Sequence, residues 1–117
     1  MDARVNPIKI TDKDTNETYE LDFSRESIYF MEQQGFKING NTLDYPVTNI
    51  PKLFYYSFRK NHRKLSQNQT DAILKKMGGL TPKILERLIL LYNQAMMANN
   101  VQDEEDLEKN VHMTVEL

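Results

Sequence analysis

The sequence predicts an α+β fold: an N-terminal β-hairpin or small antiparallel sheet packed on a helical C-terminal half. Three observations carry this. Apolar residues alternate with period two on both sides of a polar break at 12–17, a broad apolar face of helical period runs through 82–99, and capping residues separate the segments between them. A chain of 117 residues suits one core, so residues 1–100 are expected to form a single domain, followed by an acidic, mobile tail over 101–117.

In 7–11, Ile8 and Ile10 point one way and Lys9 the other; after the break, Tyr19, Leu21 and Phe23 alternate with Glu20 and Asp22. Two such runs across a short polar turn read as a hairpin. Ser24 then offers an N-cap, 25–34 reads as a helix, and Gly35 stands where a left-handed cap is expected. That helix is apolar on more than one side, because Phe30 lies nearly opposite Ile28. Residues 36–49 are mixed, and the Asn39-Gly40-Asn41 turn signal leaves room for a third short strand or a second hairpin.

Thr48 or Asn49 ahead of Pro51 reads as a helix start, and 52–65 places Phe54, Phe58, His62 and Leu65 on one face. Ser66 caps a further helix over 67–77, with Ile73, Leu74 and Met77 inward and Gly78-Gly79 as the stop. Thr81-Pro82 opens the last helix. Its face of Ile84, Leu85, Leu88, Ile89, Leu91, Tyr92, Ala95 and Met96 is the expected centre of the core, at roughly 1.5–3 kcal/mol for each large side chain buried. Beyond Asn100, five acids (Asp103, Glu104, Glu105, Asp106 and Glu108) stand against Lys109, and Val111, Met113 and Val115 alternate as an extended terminal strip.

Composition narrows function. Lys+Arg number 15 against Asp+Glu 17, a net charge of −2, so any polyanion binding must come from a local patch. The absence of cysteine removes thiol catalysis and Cys-ligated zinc, and two histidines are too few for a His-rich metal site. No apolar run approaches the ~18 residues of a membrane span, and residues 1–4 lead into a strand pattern; a soluble, unexported protein is expected. The serines lack a glycine-rich elbow, and no phosphate-binding loop occurs, so neither catalysis nor a cofactor is expected.

Asp12, Asp14 and Asn16 resemble the opening of a calcium loop, but Glu17 replaces the required glycine and Phe23 the bidentate glutamate. A hairpin turn is the better reading. His62 beside Phe58 and Leu65 reads as a core-edge histidine satisfied by a hydrogen bond. The densest basic run is Arg59, Lys60, His62, Arg63 and Lys64, and on a continuous helix Tyr56 would share a side with Arg59, Lys60 and Arg63. This set is either a solvated helix exterior, with cations favoured near the C-terminus, or a partner-binding face. As a binding face it suits an acidic protein better than nucleic acid, because the chain as a whole is slightly acidic. Phe30, together with Leu90 and Met97 seven residues apart, forms apolar stripes outside the main face; they are buried between elements or form a self-association surface.

Three stretches resemble the small tail assembly chaperones of long-tailed phages and prophages of Gram-positive bacteria: ITDKDTNETYELDFSRESIYFMEQQGF over 10–36, IPKLFYYSFRKNH over 50–62, and the MGGL break over 77–80. From first to last they span a little over half of the chain, and they consist of structural residues. The resemblance implies a non-enzymatic protein of the host cytoplasm that self-associates into spiral assemblies, binds the tape measure protein and is absent from the finished virion. It also implies the tail tube protein as a further partner, and some members are made as a longer frameshifted product. The alternative of a different class is a small nucleic-acid-binding phage regulator using the basic helix.

Overall fold

The computed structural model describes residues 4–40, 42–100 and 116; the predicted acidic tail and its terminal strip lie outside the described residues. Strands β1 (Ile8–Thr11) and β2 (Thr18–Leu21) form a two-stranded antiparallel sheet, followed by helices α1 (Arg25–Gln33), α2 (Pro46–Ser57), α3 (Gln67–Met77) and α4 (Pro82–Asn100). The α+β architecture is as the sequence predicts.

In the hairpin, Ile8 pairs with Leu21, Lys9 with Glu20, Ile10 with Tyr19 and Thr11 with Thr18. The turn is built by its own polar side chains. Asp12 Oδ1 accepts the Asp14 N–H at 2.9 Å, Thr15 Oγ1 accepts the Glu17 N–H at 3.3 Å, and Asn16 takes the left-handed conformation at φ 62°. The cation here is internal. Lys76 Nζ lies 2.8 and 2.9 Å from the Asp12 carboxylate oxygens and 2.8 Å from Asp14 Oδ2, which fastens the end of α3 to the hairpin. Among the described residues no group of acids and histidines is arranged to hold a metal ion.

That contact has a pH signature. The Lys76 hydrogen bond, followed by the Asp14 N–H, holds the Asp12 carboxyl below its ordinary value, and the same carboxylates raise Lys76. A depressed carboxyl contributes stability that is present above its unfolded value of about 3.9 and is lost as pH falls through the folded value. We therefore expect Lys76→Met to raise the Asp12 midpoint toward its ordinary value, with the Asp14 N–H keeping part of the depression, and to flatten this part of the acid limb, as followed by carboxyl NMR titration. An Asp12 midpoint unmoved by the substitution would refute the assignment.

Reciprocal caps fix α1 and α3. Ser24 Oγ accepts the Ser27 N–H at 3.1 Å while Ser27 Oγ accepts the Ser24 N–H at 2.8 Å, and Ser66 with Gln69 repeats the pattern. Each helix ends on a left-handed glycine. Gly35 (φ 84°) lets Phe36 N–H return to Met31 O at 3.0 Å, and Gly78 (φ 80°) lets Gly79 N–H return to Leu74 O at 3.1 Å.

Two expectations are corrected. Residues 36–49 supply no third strand among the described residues; they form turns, a 3-10 segment at Thr42–Asp44, and the opening of α2. Pro46, rather than Pro51, occupies the first helical position. Pro51 is tolerated a turn further in because the helical bond it removes is only that to the carbonyl of Val47, a residue on the outer turn that is 89% exposed.

The second correction concerns the helix predicted over 52–65, which stops at Ser57. There the carbonyl of Ser57 accepts the Asp22 N–H at 3.0 Å, and the Phe58 and Arg59 N–H groups fall back into tight bonds to Tyr55 O and Tyr56 O. A tertiary bond to the strand segment thus replaces the next helical one. Residues 58–65 form an elbow.

The core lies where the hairpin, α1, α2 and α4 meet. Leu21, Met31, Leu53, Phe54, Leu88 and Leu91 are fully buried, with Phe23, Ile28, Phe36, Tyr56, Phe58 and Tyr92 around them. The predicted main face of α4 is the face that packs inward. No described helix is long and apolar enough to cross a membrane.

Candidate functional site

The elbow after α2 sorts its side chains by depth. Phe58 is buried against Phe54 and Tyr19, in edge-on contacts with ring centroids 4.9 and 5.7 Å apart. His62 follows it inward, edge-on to Tyr19 at 5.5 Å, and its Nε2 accepts the Glu20 N–H at 2.9 Å. Asn61 Nδ2 donates to Glu20 O at 3.3 Å. With Phe58 and His62 drawn inward, Arg59, Lys60, Arg63 and Lys64 are turned toward solvent. The expected core-edge role of His62 matches its place here.

Arg59 lies over the face of Phe30, its guanidinium carbon 3.8 Å from the ring centroid, a cation–π contact that half-covers an otherwise open aromatic. Lys60 Nζ pairs with Asp22 Oδ2 at 2.6 Å, while Asp22 Oδ1 accepts the Phe23 N–H at 2.8 Å. Asp22 therefore anchors one cation and satisfies a buried donor. Arg63 and Lys64 are exposed, and no described residue pairs with either. Ser24, Glu26, Ser27, Phe30, Arg59, Lys60 and Arg63 line a recess of about 330 Å³ at the start of α1. On the other side of Arg63, Glu17, Tyr19 and residues 60–65 line a shallower depression of about 530 Å³.

Arg59, Lys60 and Arg63 are thus brought together as the sequence predicts, but on an elbow, and Tyr56 is not with them. It is 6% exposed, stacked on Phe36 at 5.3 Å and edge-on to Phe30 at 6.1 Å, and burial raises its phenol pKa. The reason is the end of α2 at Ser57: the turn that follows rotates Arg59 away from the direction a continuous helix would give it. Tyr56 supports Phe30 from beneath instead of presenting a surface. Phe30 is correspondingly a partly covered wall of the recess rather than a free apolar stripe.

The predicted stripe on α4 is exposed, Leu90 at 45% and Met97 at 53%. Sequence reasoning missed a second apolar group, Leu43, Tyr45 and Val47, which the expected strand would have half-buried; Val47 reaches 89% exposure. Pro46 was the available signal, since a proline at the first helical position leaves its neighbours on the outer turn. Sequence reasoning also missed Asp22 and the cap residues Ser24 and Ser27 as neighbours of the cations.

Chemically, the recess is suited to holding carboxylates. Arginine presents paired N–H donors in a fixed fork that fits a carboxylate, and Phe30 offers apolar area beside it. Of its polar lining, Ser24 and Ser27 cap each other and Lys60 is paired with Asp22, which leaves the arginines facing a single acid, Glu26. No curated protein and no solved structure matches the chain. The profile of DUF5055, described as a domain of unknown function, matches residues 2–117, and the chain therefore belongs to that family.

Proposed function

We propose that the protein is a non-enzymatic tail assembly chaperone of a long-tailed phage or prophage. In this reading it self-associates in the host cytoplasm, holds the tape measure protein while the tail is built, and is left out of the finished virion. The tail tube protein is the second candidate partner. The partner's identity rests on the resemblance. The observation that supports protein binding is the recess in which Arg59, Lys60 and Arg63 surround the half-covered ring of Phe30. Leu90 and Met97, exposed on α4, are the proposed contacts between copies, and repeated weak contacts along an oligomer supply avidity for a long partner.

The same geometry weakens the reading as a nucleic-acid regulator. Tyr56, the proposed base-stacking residue, is buried, and Lys60 is engaged by Asp22. Co-expression with the tape measure protein of the same tail gene cluster is the test. We expect the partner to become soluble and to co-purify, and the pair Arg59→Glu and Arg63→Glu to abolish co-purification while lowering the melting temperature only slightly, by the cation–π contact that Arg59 makes with Phe30. A tape measure protein that stays insoluble in the presence of the chain, or is equally soluble without it, refutes the function. Submicromolar retention of DNA that weakens with salt, at a log–log slope of roughly −0.9 per phosphate contact, would support the regulator instead.

A further inference from the structure

A two-stranded sheet has two outer edges, and this molecule closes them unequally. On β2, the outward N–H of Glu20 donates to His62 Nε2, its carbonyl accepts from Asn61, and the N–H of Asp22 just beyond the strand donates to Ser57 O. Because Glu20 turns its backbone groups away from β1, its antiparallel partner Lys9 must turn its own away from β2, and Thr11 opposite Thr18 does the same. Upstream, Gln94 of α4 substitutes for a neighbouring strand, its amide accepting from Val5 N–H at 2.7 Å and donating to Val5 O at 3.2 Å. At Lys9 and Thr11 no described residue takes the outward N–H and C=O groups. Beside the Lys9 end of this open stretch lies a recess of about 290 Å³ with Lys9, Lys83 and Arg87 as its charged lining and Pro7, Ile8 and Ile84 as its apolar lining, while the depression at Thr11 holds Asp12 and Asp14, both paired with Lys76, and Lys13.

We infer that the open edge at Lys9 and Thr11 is a strand-addition site for an extended, acidic segment of a partner protein. Its backbone must be extended, because two free donors and two free acceptors at alternate residues match only a chain of strand pitch. The side chains it sets beside Lys9 must be acidic, because every charge lining the recess there is positive, and an apolar residue at alternate positions meets Ile84. An edge lysine discourages pairing with strands of like charge, and the same charge selects an acidic one. The site is separate from the Arg59–Arg63 recess, so its failure leaves the chaperone reading standing.

The probe is a capped heptapeptide of alternating valine and glutamate, titrated into the isotope-labelled full chain and followed by amide NMR. We expect the Lys9 and Thr11 amides to shift and to exchange more slowly, with saturation. The same peptide N-methylated on the amides that face β1, and a peptide with lysine for glutamate, should each bind at least about tenfold more weakly, equivalent to about 1.4 kcal/mol. Lys83→Glu, an exposed change, should weaken the acidic peptide and strengthen the lysine one. The inference is overturned if the methylated peptide binds as well as its parent, since charge alone would then suffice. Shifts confined to the 59–63 elbow, or no shift at millimolar peptide, would overturn it too. So would Lys9 and Thr11 amides already protected in the free chain, which would mean that the chain's own residues occupy the edge.

Discussion

Leu88→Asp is expected to abolish cooperative unfolding, whereas Leu90→Asp, two positions along the same helix, is expected to leave the fold intact and reduce the assembly state. Leu88 is 0% exposed on α4, in the cluster where α4 meets the rest of the core. A carboxylate placed there has no partner, and an uncompensated buried charge costs several kcal/mol beyond the lost packing. Leu→Ala truncation in a core already costs about 2–5 kcal/mol, against a total stability of about 5–15 kcal/mol for a small domain. The aspartate variant should therefore lose its melting transition by circular dichroism, while Leu88→Ala should keep one at lower temperature. Leu90 is 45% exposed, so its aspartate remains hydrated. Light scattering should show wild-type oligomers that grow with concentration and a Leu90→Asp protein closer to monomer. A wild-type protein that remains monomeric into the high micromolar range removes the case for self-association through this stripe.

The contrast between those two leucines was legible in the sequence, and the reason is physical. Over 82–99 the helix has a capping residue and a proline at its start, Thr81-Pro82, and nothing interrupts its hydrogen bonding, so a period of 3.6 maps directly onto depth. The same held for the hairpin, where alternation and local Asp and Asn bonding are both short-range. It failed at 52–65, where the apolar spacing of Phe54, Phe58 and His62 correctly marked inward residues but not the path between them. The end of α2 depends on one long-range bond, Asp22 N–H to Ser57 O, and no local signal announces a competitor thirty-five residues upstream. That stop turns the cations away from Tyr56, and Phe30 and Phe36, distant in sequence, cover its ring.

The candidate site was half legible for a related reason. Arg59, Lys60 and Arg63 form a cluster in sequence, and a cluster of cations stays on the surface whether it rides on a helix or on a turn. What gives it shape comes from elsewhere in the chain. Phe30 reaches it from α1, and Asp22 reaches it from just beyond β2. Neither residue is adjacent to the basic run, and each becomes its neighbour only once the hairpin and α1 are packed against α2.

Phe58→Ala should therefore damage both stability and binding. The ring is 1% exposed at the junction of α2, β2 and the elbow, in edge-on contact with Phe54, Tyr19 and His62. Truncating a buried phenylalanine costs about 3–5 kcal/mol through lost burial and the remaining cavity. For a domain of this size that lowers the melting temperature on the order of 20 °C. The denaturant midpoint should fall with little change in slope, and the Glu20 amide, held by His62 Nε2, should exchange faster than amides in the middle of α4. His62→Ala is the graded comparison: it removes that acceptor and the edge contacts but leaves the core ring, for about 1–3 kcal/mol. A Phe58→Ala midpoint within the range of surface substitutions would show that the elbow is not anchored there. Because Phe58 and His62 pull inward and thereby turn Arg59, Lys60 and Arg63 outward, Phe58→Ala should also weaken partner capture at temperatures where the domain is still folded. The charge reversals at Arg59 and Arg63 should lose the partner with only the small stability change of the lost Arg59–Phe30 contact, and only a recess built on a buried anchor predicts both results.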